Sequence, residues 1–518
     1  MAKKFVCTKD YPVVETKQGK LRGFLHDKIF KFYGIKYADA KRWQMPEPPA
    51  KWEGIKDALG YGYVSPMLSQ DVPGSGELKV PHRYWPMDEN CQYLNIWTPA
   101  INDGKKRAVM FWLHGGGFFA GSSIEQIAYD GTSMAETADV VVVTINHRLN
   151  ILGYMDLSAF GEEYANSGNV GNADMVAALQ WVHDNIEGFG GDPDNVTIFG
   201  QSGGGMKVCS LMNTEAANGL FAKAIMMSGV GENEPDSAKV NGKAFAEKLM
   251  EKCGVKTVKE LAALPYSVLA DAYNAINVRG LGAPEDEYHA GSGPIANEWY
   301  HGNPLLHGWT EHGKTIPLMI GSVLDEFKAF APGRADRDTM TEAEAKAMVA
   351  EEYGDKADEV IKLFKAAYPG KNLIDLMQMD TMFRPCGIKL IKSRMEECTA
   401  KTYSYIFAPT FSVDCGSGAW HCSDIPYAFH NMDITPYCNF EGSDELQDRY
   451  FNAYINFAKY GDPSNEYLPE WPECKPGDES VMIFDKECEV RHNFDYELID
   501  FVLKYGTPFS FAKTKIEH

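Results

Sequence analysis

Short apolar runs alternate with helix-like patterns through most of this chain. The runs are rich in β-branched and aromatic residues, a composition typical of parallel strands that helices cover on both faces. Between two of them, residues 174–186 repeat apolar positions with helical spacing. This alternation predicts an α/β fold with a large, mostly parallel central sheet flanked by helices. The predicted strands are residues 108–113, 140–145, 196–199, 224–227, 316–320, 403–407 and 481–484.

Two long stretches interrupt the alternation, and their pattern is mainly helical. They run from about residue 232 to 312 and from about residue 338 to 397. In the second, Thr341 and Glu344 have the spacing of a capping box that begins a helix, and Gly354 is placed to end it. Because both stretches lie between predicted core strands, we interpret them as insertions over a binding cleft in a single domain of residues 1–518.

The charge balance argues against nucleic acid as a partner. Fifty basic residues against 72 acidic ones give a formal net charge of −22, so attraction to a phosphate backbone is not expected. No long apolar run predicts a membrane partner, and no apolar segment after Met1 predicts a signal peptide. Eleven cysteines without paired or metal-ligand spacing favour a reducing compartment, so we expect a cytoplasmic protein. The oligomeric state stays open.

The most specific local motif is Gly-x-Ser-x-Gly at residues 200–204, with Ser202 at its centre. It follows a predicted strand directly, and the residues after it fit a helix. A serine in the sharp turn between strand and helix is the nucleophile elbow, and glycines are needed there because larger neighbours would clash. An ordinary glycine-rich turn is the alternative, but the flanking strand and helix favour a nucleophilic serine.

A second motif, His114 followed by three glycines, comes after the strand predicted at residues 108–113. A glycine run of this kind allows backbone N–H groups to point at an oxyanion. Alone it is equally compatible with a flexible turn or a phosphate-binding loop, although no Lys-Ser/Thr pair follows to complete a P-loop. The two motifs together, in this order and each after a strand, indicate acyl transfer.

Beyond these motifs, the chain resembles the type-B carboxylesterase and cholinesterase-like family over most of its length. The agreement is an ordered series of segments that leads up to Ser202. The resemblance implies the α/β-hydrolase fold, with helical excursions over the active site, and a serine hydrolase acting on carboxylic esters. The matching segments are residues 32–38, 42–43, 46, 89–97, 146–149, 168–171, 180–181, 185–186 and 189–193.

By the same resemblance, Glu326 and His421 complete a catalytic triad with Ser202, in the chain order Ser, Asp/Glu, His. Glu326 is preferred over its neighbour Asp325 because of its place in the family's acidic turn after a core strand. The implied oxyanion donors are the backbone N–H groups of Gly116, Gly117 and Gly203.

Several positions depart from the family's usual pattern. Gly203 stands where alanine is usual, and Gln201 where glutamate is usual. Asp424 stands where glutamate is common after the histidine. The segments that would hold the disulfide partners of Cys91 and Cys253 in secreted members contain no cysteine, which supports an intracellular enzyme.

The predicted reaction is hydrolysis of small, soluble esters to an alcohol and a carboxylic acid through an acyl-enzyme on Ser202. No metal or organic cofactor is expected, and the expected partner is a small-molecule ester. Three alternatives stay open: a non-catalytic binding protein of the same family, thioester or amide hydrolysis at the same triad, and a lipase acting at interfaces. The segment near residues 293–295 is expected to contribute to the acyl pocket.

Overall fold

The computed structural model describes residues 4–69, 75–231, 242–276, 291–329, 337–413 and 416–507. By its internal contacts the chain divides into two compact units. The first comprises residues 1–72, 83–225 and 232–316, and the second comprises residues 73–82, 226–231 and 317–518.

The first unit and the strand that leads out of it contain eleven strands and eight α-helices in their described residues. The strands are β1 (Phe5–Val6), β2 (Val13–Glu15), β3 (Lys20–Arg22), β4 (Phe24–His26), β5 (Ile29–Lys36), β6 (Ile55–Asp57), β7 (Tyr93–Thr98), β8 (Arg107–Leu113), β9 (Val141–Ile145), β10 (Gly191–Gln201) and β11 (Lys223–Met227). The helices are α1 (Thr132–Ala138), α2 (Asn150–Tyr154), α3 (Val170–Asn185), α4 (Gly203–Met212), α5 (Gly242–Cys253), α6 (Val258–Ala262), α7 (Tyr266–Ile276) and α8 (Pro304–His307).

Strand β8 is central to the pairing within this unit. It runs parallel to both β9 and β10, and β7, β5 and β4 continue the sheet antiparallel beyond β9. All seven residues of β8 are buried, as are all five of β9. Continuous burial explains why these strands appear in the sequence as unbroken apolar runs rather than as alternating patterns.

The second unit contains six strands and six α-helices in its described residues. The strands are β12 (Leu318–Val323), β13 (Thr402–Phe407), β14 (Thr410–Phe411), β15 (Ser417–Gly418), β16 (Ser480–Phe484) and β17 (Glu489–His492). The helices are α9 (Glu342–Tyr353), α10 (Ala357–Ala367), α11 (Phe383–Glu397), α12 (Ile425–Phe429), α13 (Ser443–Tyr460) and α14 (Tyr496–Tyr505). Strands β12, β13 and β16 are parallel, and β17 is an antiparallel edge.

The predicted α/β-hydrolase fold, with its large central sheet and flanking helices, is confirmed, and so is each of the seven predicted strands. Several boundaries differ from the prediction, among them the start of β10, at Gly191 rather than at residue 196. Helix α3 begins at Val170 rather than at residue 174, because buried Gly171 packs directly against Tyr154 and the low helix propensity of glycine is overridden by tertiary contact. Strand β12 begins at Leu318 rather than at residue 316, after Pro317, which has no N–H to donate to a ladder.

The capping box and the predicted helix end are also confirmed. The Thr341 hydroxyl accepts the Glu344 N–H, and the Glu344 carboxylate accepts the Thr341 N–H, at the start of α9. Gly354, with φ 54°, ends that helix. The described parts of both predicted helical stretches carry α5 to α8 and α9 to α11; residues 232–241 and 277–290 lie outside the described part, and the single-domain assignment stays a prediction.

Each unit has its own apolar cluster. In the first, α5 and α7 pack their buried faces against Trp43, Ile151 and Tyr164. In the second, α9, α10 and α14 cover Ile406 of β13 and Val481 of β16. In the described part of the chain, no helix is long and apolar enough to cross a membrane.

Candidate active site

Ser202 is the single residue between β10 and α4. Its backbone has φ 59° and ψ −125°, a conformation that is strained for a residue with a side chain. A Cβ added at Gly200 would lie 2.7 Å from the Leu113 carbonyl oxygen, and one at Gly204 only 2.0 Å from it. The two glycines of the motif therefore let the turn pass close to the end of β8, with Ser202 half-buried at its tip.

The loop after β8 is a second tight turn. Gly116 and Gly117 have φ values of 82° and 60°, in the left-handed region that glycine adopts without steric cost. The Gly116 carbonyl accepts the N–H groups of Phe119 at 3.2 Å and Ala120 at 3.0 Å. These bonds fix the turn that the three glycines make possible.

This loop lies directly against the elbow. A Cβ added at Gly115 would be 3.6 Å from the Cβ of Ser202. A Cβ added at Gly203 would be only 2.3 Å from both the nitrogen and the oxygen of Gly117. The first unit thus brings together the predicted nucleophile and the backbone of all three predicted oxyanion donors, with no room for a side chain at Gly203.

The segment expected near the acyl pocket packs on the same loop. A Cβ at Gly293 would lie 3.2 Å from the ring of Phe118, which also meets Tyr154 edge-on with ring centroids 5.0 Å apart. Asn169 holds the backbone of Ile295 at both ends of its side-chain amide, at 2.8 and 2.9 Å. Residues 293–295 therefore lie beside the glycine loop, although their role as a pocket wall stays a prediction.

Glu326 and His421 lie together in the second unit. His421 Nδ1 donates to Glu326 Oε2 at 2.6 Å, and the His421 N–H donates to the Glu326 carbonyl at 3.0 Å. The other carboxylate oxygen accepts the Val323 N–H at 3.0 Å, which holds Glu326 at the end of β12. An imidazole whose Nδ1–H is held by a carboxylate presents Nε2 as a base.

Two further residues lie next to this pair. The ring of Phe383 stacks on the His421 ring, with centroids 5.2 Å apart and planes 10° from parallel. Asp325, the alternative acid, has its carboxylate against Gly418, and its N–H donates to the Ala419 carbonyl at 2.9 Å. The structure therefore joins Glu326, rather than Asp325, to the histidine.

Two further buried carboxyls lie near Glu326. Burial, reinforced by the charge of Glu326, raises the pKa of Asp424 to about 7 and that of Asp380 to about 7. The Tyr450 hydroxyl donates to Asp424 at 3.0 Å, and three successive N–H groups at the start of α11 donate to Asp380. Below pH 7 both groups hold a proton, so Glu326 is not opposed by two further negative charges.

Sequence reasoning missed Asp380, beside Glu326 in the second unit, and Lys207, beside the glycine loop in the first unit. The lysine lies in α4, where nine of ten residues are buried, and its own side chain is fully buried. A signal for it was present: a lone cation between Met206 and Val208, in a helix that follows the elbow directly.

Comparisons with known proteins match nearly the whole chain to one family. The model of the carboxylesterase family matches residues 10–502. The para-nitrobenzyl esterase of Bacillus subtilis (strain 168) is 31% identical over 499 residues, which cover 94% of this chain and 97% of that protein.

Solved structures agree with this match. An esterase from anaerobic Clostridium hathewayi, described as able to hydrolyze aliphatic aromatic polyesters, is 46% identical with a TM-score of 0.92, over 97% of this chain and all 100% of that one. A carboxylesterase from Geobacillus stearothermophilus is 31% identical with a TM-score of 0.73, over 94% of this chain and 98% of that one.

Proposed function

The chain belongs to the carboxylesterase family and is a carboxylic ester hydrolase, and on that basis we propose that Ser202, His421 and Glu326 are its catalytic triad. The observation that carries the proposal is the short bond from His421 Nδ1 to Glu326, at 2.6 Å. It leaves Nε2 as the basic nitrogen, and Ser202, at the centre of the Gly-x-Ser-x-Gly motif, stands in the strained turn between β10 and α4.

In the proposed reaction, His421 Nε2 takes the proton of Ser202 Oγ as the oxygen attacks the ester carbonyl carbon. Glu326 holds the imidazole in the tautomer that can accept this proton and stabilises the imidazolium that forms. The imidazolium then gives its proton to the departing alkoxide as the C–O bond breaks. Water attacks the acyl-enzyme by the same route and releases the acid and the free serine.

The backbone N–H groups of Gly116, Gly117 and Gly203 are the proposed oxyanion donors. The carbonyl oxygen becomes negatively charged only when the tetrahedral intermediate forms, so donors fixed in advance stabilise the transition state more than the ester. Losing one such donor typically costs about 3 kcal/mol. Support comes from the left-handed backbone of the first two glycines and the contact of Gly203 with the loop.

For the substrate, we propose small soluble carboxylic esters with short acyl groups. The acyl side is bordered in our proposal by Phe118 and residues 293–295, which pack on the glycine loop. A second candidate activity is cleavage of aliphatic aromatic polyesters, favoured by the 46% identity and TM-score of 0.92 to the Clostridium hathewayi esterase.

Hydrolysis of para-nitrophenyl esters of increasing acyl length tests the main proposal. Ser202→Ala should lose nearly all turnover, whereas Ser210→Ala, which changes a buried serine of α4, should keep it. Turnover retained in Ser202→Ala would refute the assignment of the nucleophile. Incubation with a film of aliphatic aromatic polyester, followed by measurement of released diacid, tests the second candidate; release that survives Ser202→Ala would count against it.

A cytoplasmic location is also part of the proposal. The ten described cysteines are all free thiols, which suits a reducing compartment. Cell fractionation with an antibody against the chain checks this, and recovery outside the cell would contradict it.

A further inference from the structure

The buried cation of α4 lies under the glycine loop. Lys207 is fully buried, and its Nζ lies 2.9 Å from the carbonyl oxygen of His114 and 3.5 Å from that of Gly115. His114 Nδ1 also bonds the Gly115 carbonyl oxygen, at 2.9 Å. Two donors thus converge on one backbone oxygen of the loop, and one of them is an ammonium group.

The direction of that oxygen determines the direction of an N–H group. The carbonyl of Gly115 and the N–H of Gly116 belong to the same planar trans peptide, so they point in opposite directions. A donor that holds the Gly115 oxygen toward α4 therefore turns the Gly116 N–H to the other side of the loop. Gly116 is one of the proposed oxyanion donors, and its neighbour Gly115 borders Ser202.

We propose that Lys207 is a positioning residue of the oxyanion hole, which holds the Gly115–Gly116 peptide so that the Gly116 N–H is directed at the reacting oxyanion. This inference rests on the proposed function, since it assigns a task to that same site. Lys207 does not touch the substrate; it acts through the peptide group. A hydrogen bond from a charged donor also polarises the peptide, which makes its N–H a stronger donor.

The other two proposed donors are held in the same way, but by neutral groups. The Gly117 N–H shares a peptide with the Gly116 carbonyl, which accepts the Phe119 and Ala120 N–H groups. The Gly203 N–H shares a peptide with the Ser202 carbonyl, which accepts the Met206 N–H at 3.1 Å in the first turn of α4. Lys207 is thus the one member of this arrangement whose contribution depends on a titratable charge.

The charges around Lys207 predict how that contribution varies with pH. Burial lowers the pKa of Lys207 to about 7, against the opposing influence of the Glu125 carboxylate. Burial and the lysine charge lower the pKa of His114 and of His147, which stacks on it at 5.2 Å, so both rings are neutral. Arg148, beyond His147, is paired with buried Asp174 at 2.7 Å.

Lys207→Met keeps an unbranched side chain, one atom shorter than that of lysine, and removes its charge and its hydrogen bonds. At pH 6.5 we expect kcat on a para-nitrophenyl ester to fall roughly 10- to 100-fold. This fall is no larger than the one expected when an oxyanion donor is lost altogether. KM should change little, because the oxyanion exists only after attack. The wild-type kcat/KM should decline as pH rises through about 7, while Lys207→Met should lack this decline.

The ratio of wild-type to Lys207→Met kcat/KM, measured across pH, distinguishes positioning by charge from packing. A ratio that shrinks as pH rises from 6.5 to 9 supports the proposal, and a ratio independent of pH overturns it. So does a variant as active as the wild type at pH 6.5. Circular dichroism and the stoichiometry of labelling by a fluorophosphonate confirm that the variant is folded with a reactive serine.

Glu125→Gln provides an independent test, which also applies if Lys207→Met does not fold. Removing the carboxylate should lower the pKa of Lys207 further, so the decline of kcat/KM should move to lower pH. An unmoved decline overturns the proposal. Ser202→Ala separates the two hypotheses: turnover without the serine refutes the proposed function, whereas a dead Ser202→Ala beside an unaffected Lys207→Met refutes only the role of the lysine.

Discussion

Restoring the family's usual alanine at position 203 should damage this enzyme. Gly203→Ala adds one methyl group at the first residue of α4, and an ideal Cβ there lies 2.3 Å from the Gly117 nitrogen and oxygen and 2.4 Å from its Cα. All three contacts are to backbone, so no rotamer change can relieve them. To restore an ordinary contact of 3.4 Å, the loop or the helix must move by about 1 Å.

The expected loss of activity follows from the groups that the added methyl displaces. Both Gly117 and Gly203 supply proposed oxyanion donors, and a donor displaced by about 1 Å no longer meets the oxyanion at hydrogen-bonding distance. We therefore expect kcat to fall by roughly 100-fold, equivalent to about 3 kcal/mol of transition-state stabilisation. KM should stay within about threefold, because the ester carbonyl relies little on these donors before attack.

The assay is steady-state hydrolysis of a short para-nitrophenyl ester by the purified variant, with the active fraction measured by fluorophosphonate labelling. Gly60→Ala is a matched control, since a Cβ at Gly60 meets no atom within 4 Å and its φ is not left-handed. That control should be within about twofold of the wild type. A Gly203→Ala enzyme with near-normal kcat would refute the reasoning, because it would mean that the loop retreats without losing its donors.

Two further predictions concern the second unit. Glu326→Gln should lower kcat by about 10⁴-fold, by allowing the wrong imidazole tautomer, whereas Asp325→Asn should lower it less than tenfold; the reverse order would reassign the acid. Asp424 keeps its proton up to a pH of about 7 in the folded chain but only to about 4 when unfolded, so unfolding releases a proton between these values. Stability should therefore fall as pH rises through that window and stay lower above it. Asp424→Asn, which keeps an acceptor for Tyr450, should flatten this decline. The prediction would be contradicted if the midpoint of thermal unfolding fell by the same amount from pH 5 to pH 8 in the wild type and in the variant.

The sequence was most informative where local chemistry determines structure. The elbow could be predicted because the Gly-x-Ser-x-Gly spacing reflects a local steric need, and the structure shows that need at Gly200 and Gly204. The capping box of Thr341 and Glu344 is likewise a contact between residues three apart. Glu326 and His421 are far apart in the chain, and only the family resemblance singled them out from many acids and histidines.

Other features depend on distant parts of the chain, so the local sequence alone did not determine them. The contact of Gly203 with Gly117 joins the start of α4 to the glycine loop, so the sequence alone offered no reason for glycine in place of alanine. Lys207 stood out only as a lone cation between apolar residues, because its burial depends on the end of β8 rather than on its sequence neighbours. The raised pKa of Asp380 similarly arises from burial near Glu326, which no spacing along the chain expresses.

The end of β8 explains why Gly203 and the buried Lys207 occur together. Where a strand ends beside a helix start, its last carbonyls leave the sheet and need new donors, since an unpaired buried carbonyl is costly. The absence of side chains at Gly203 and Gly204 brings the loop so close that the Leu113 and His114 oxygens face the first turns of α4. Helix N–H groups in that turn are engaged by the elbow itself, as in the bond from Met206 to Ser202. A long cationic side chain from the next turn can reach the His114 and Gly115 oxygens, and Lys207 does so. Because the loop lies so close to α4, its carbonyls need a buried donor, and Lys207 supplies it. The reactivity of the site then depends on whether Lys207 is protonated.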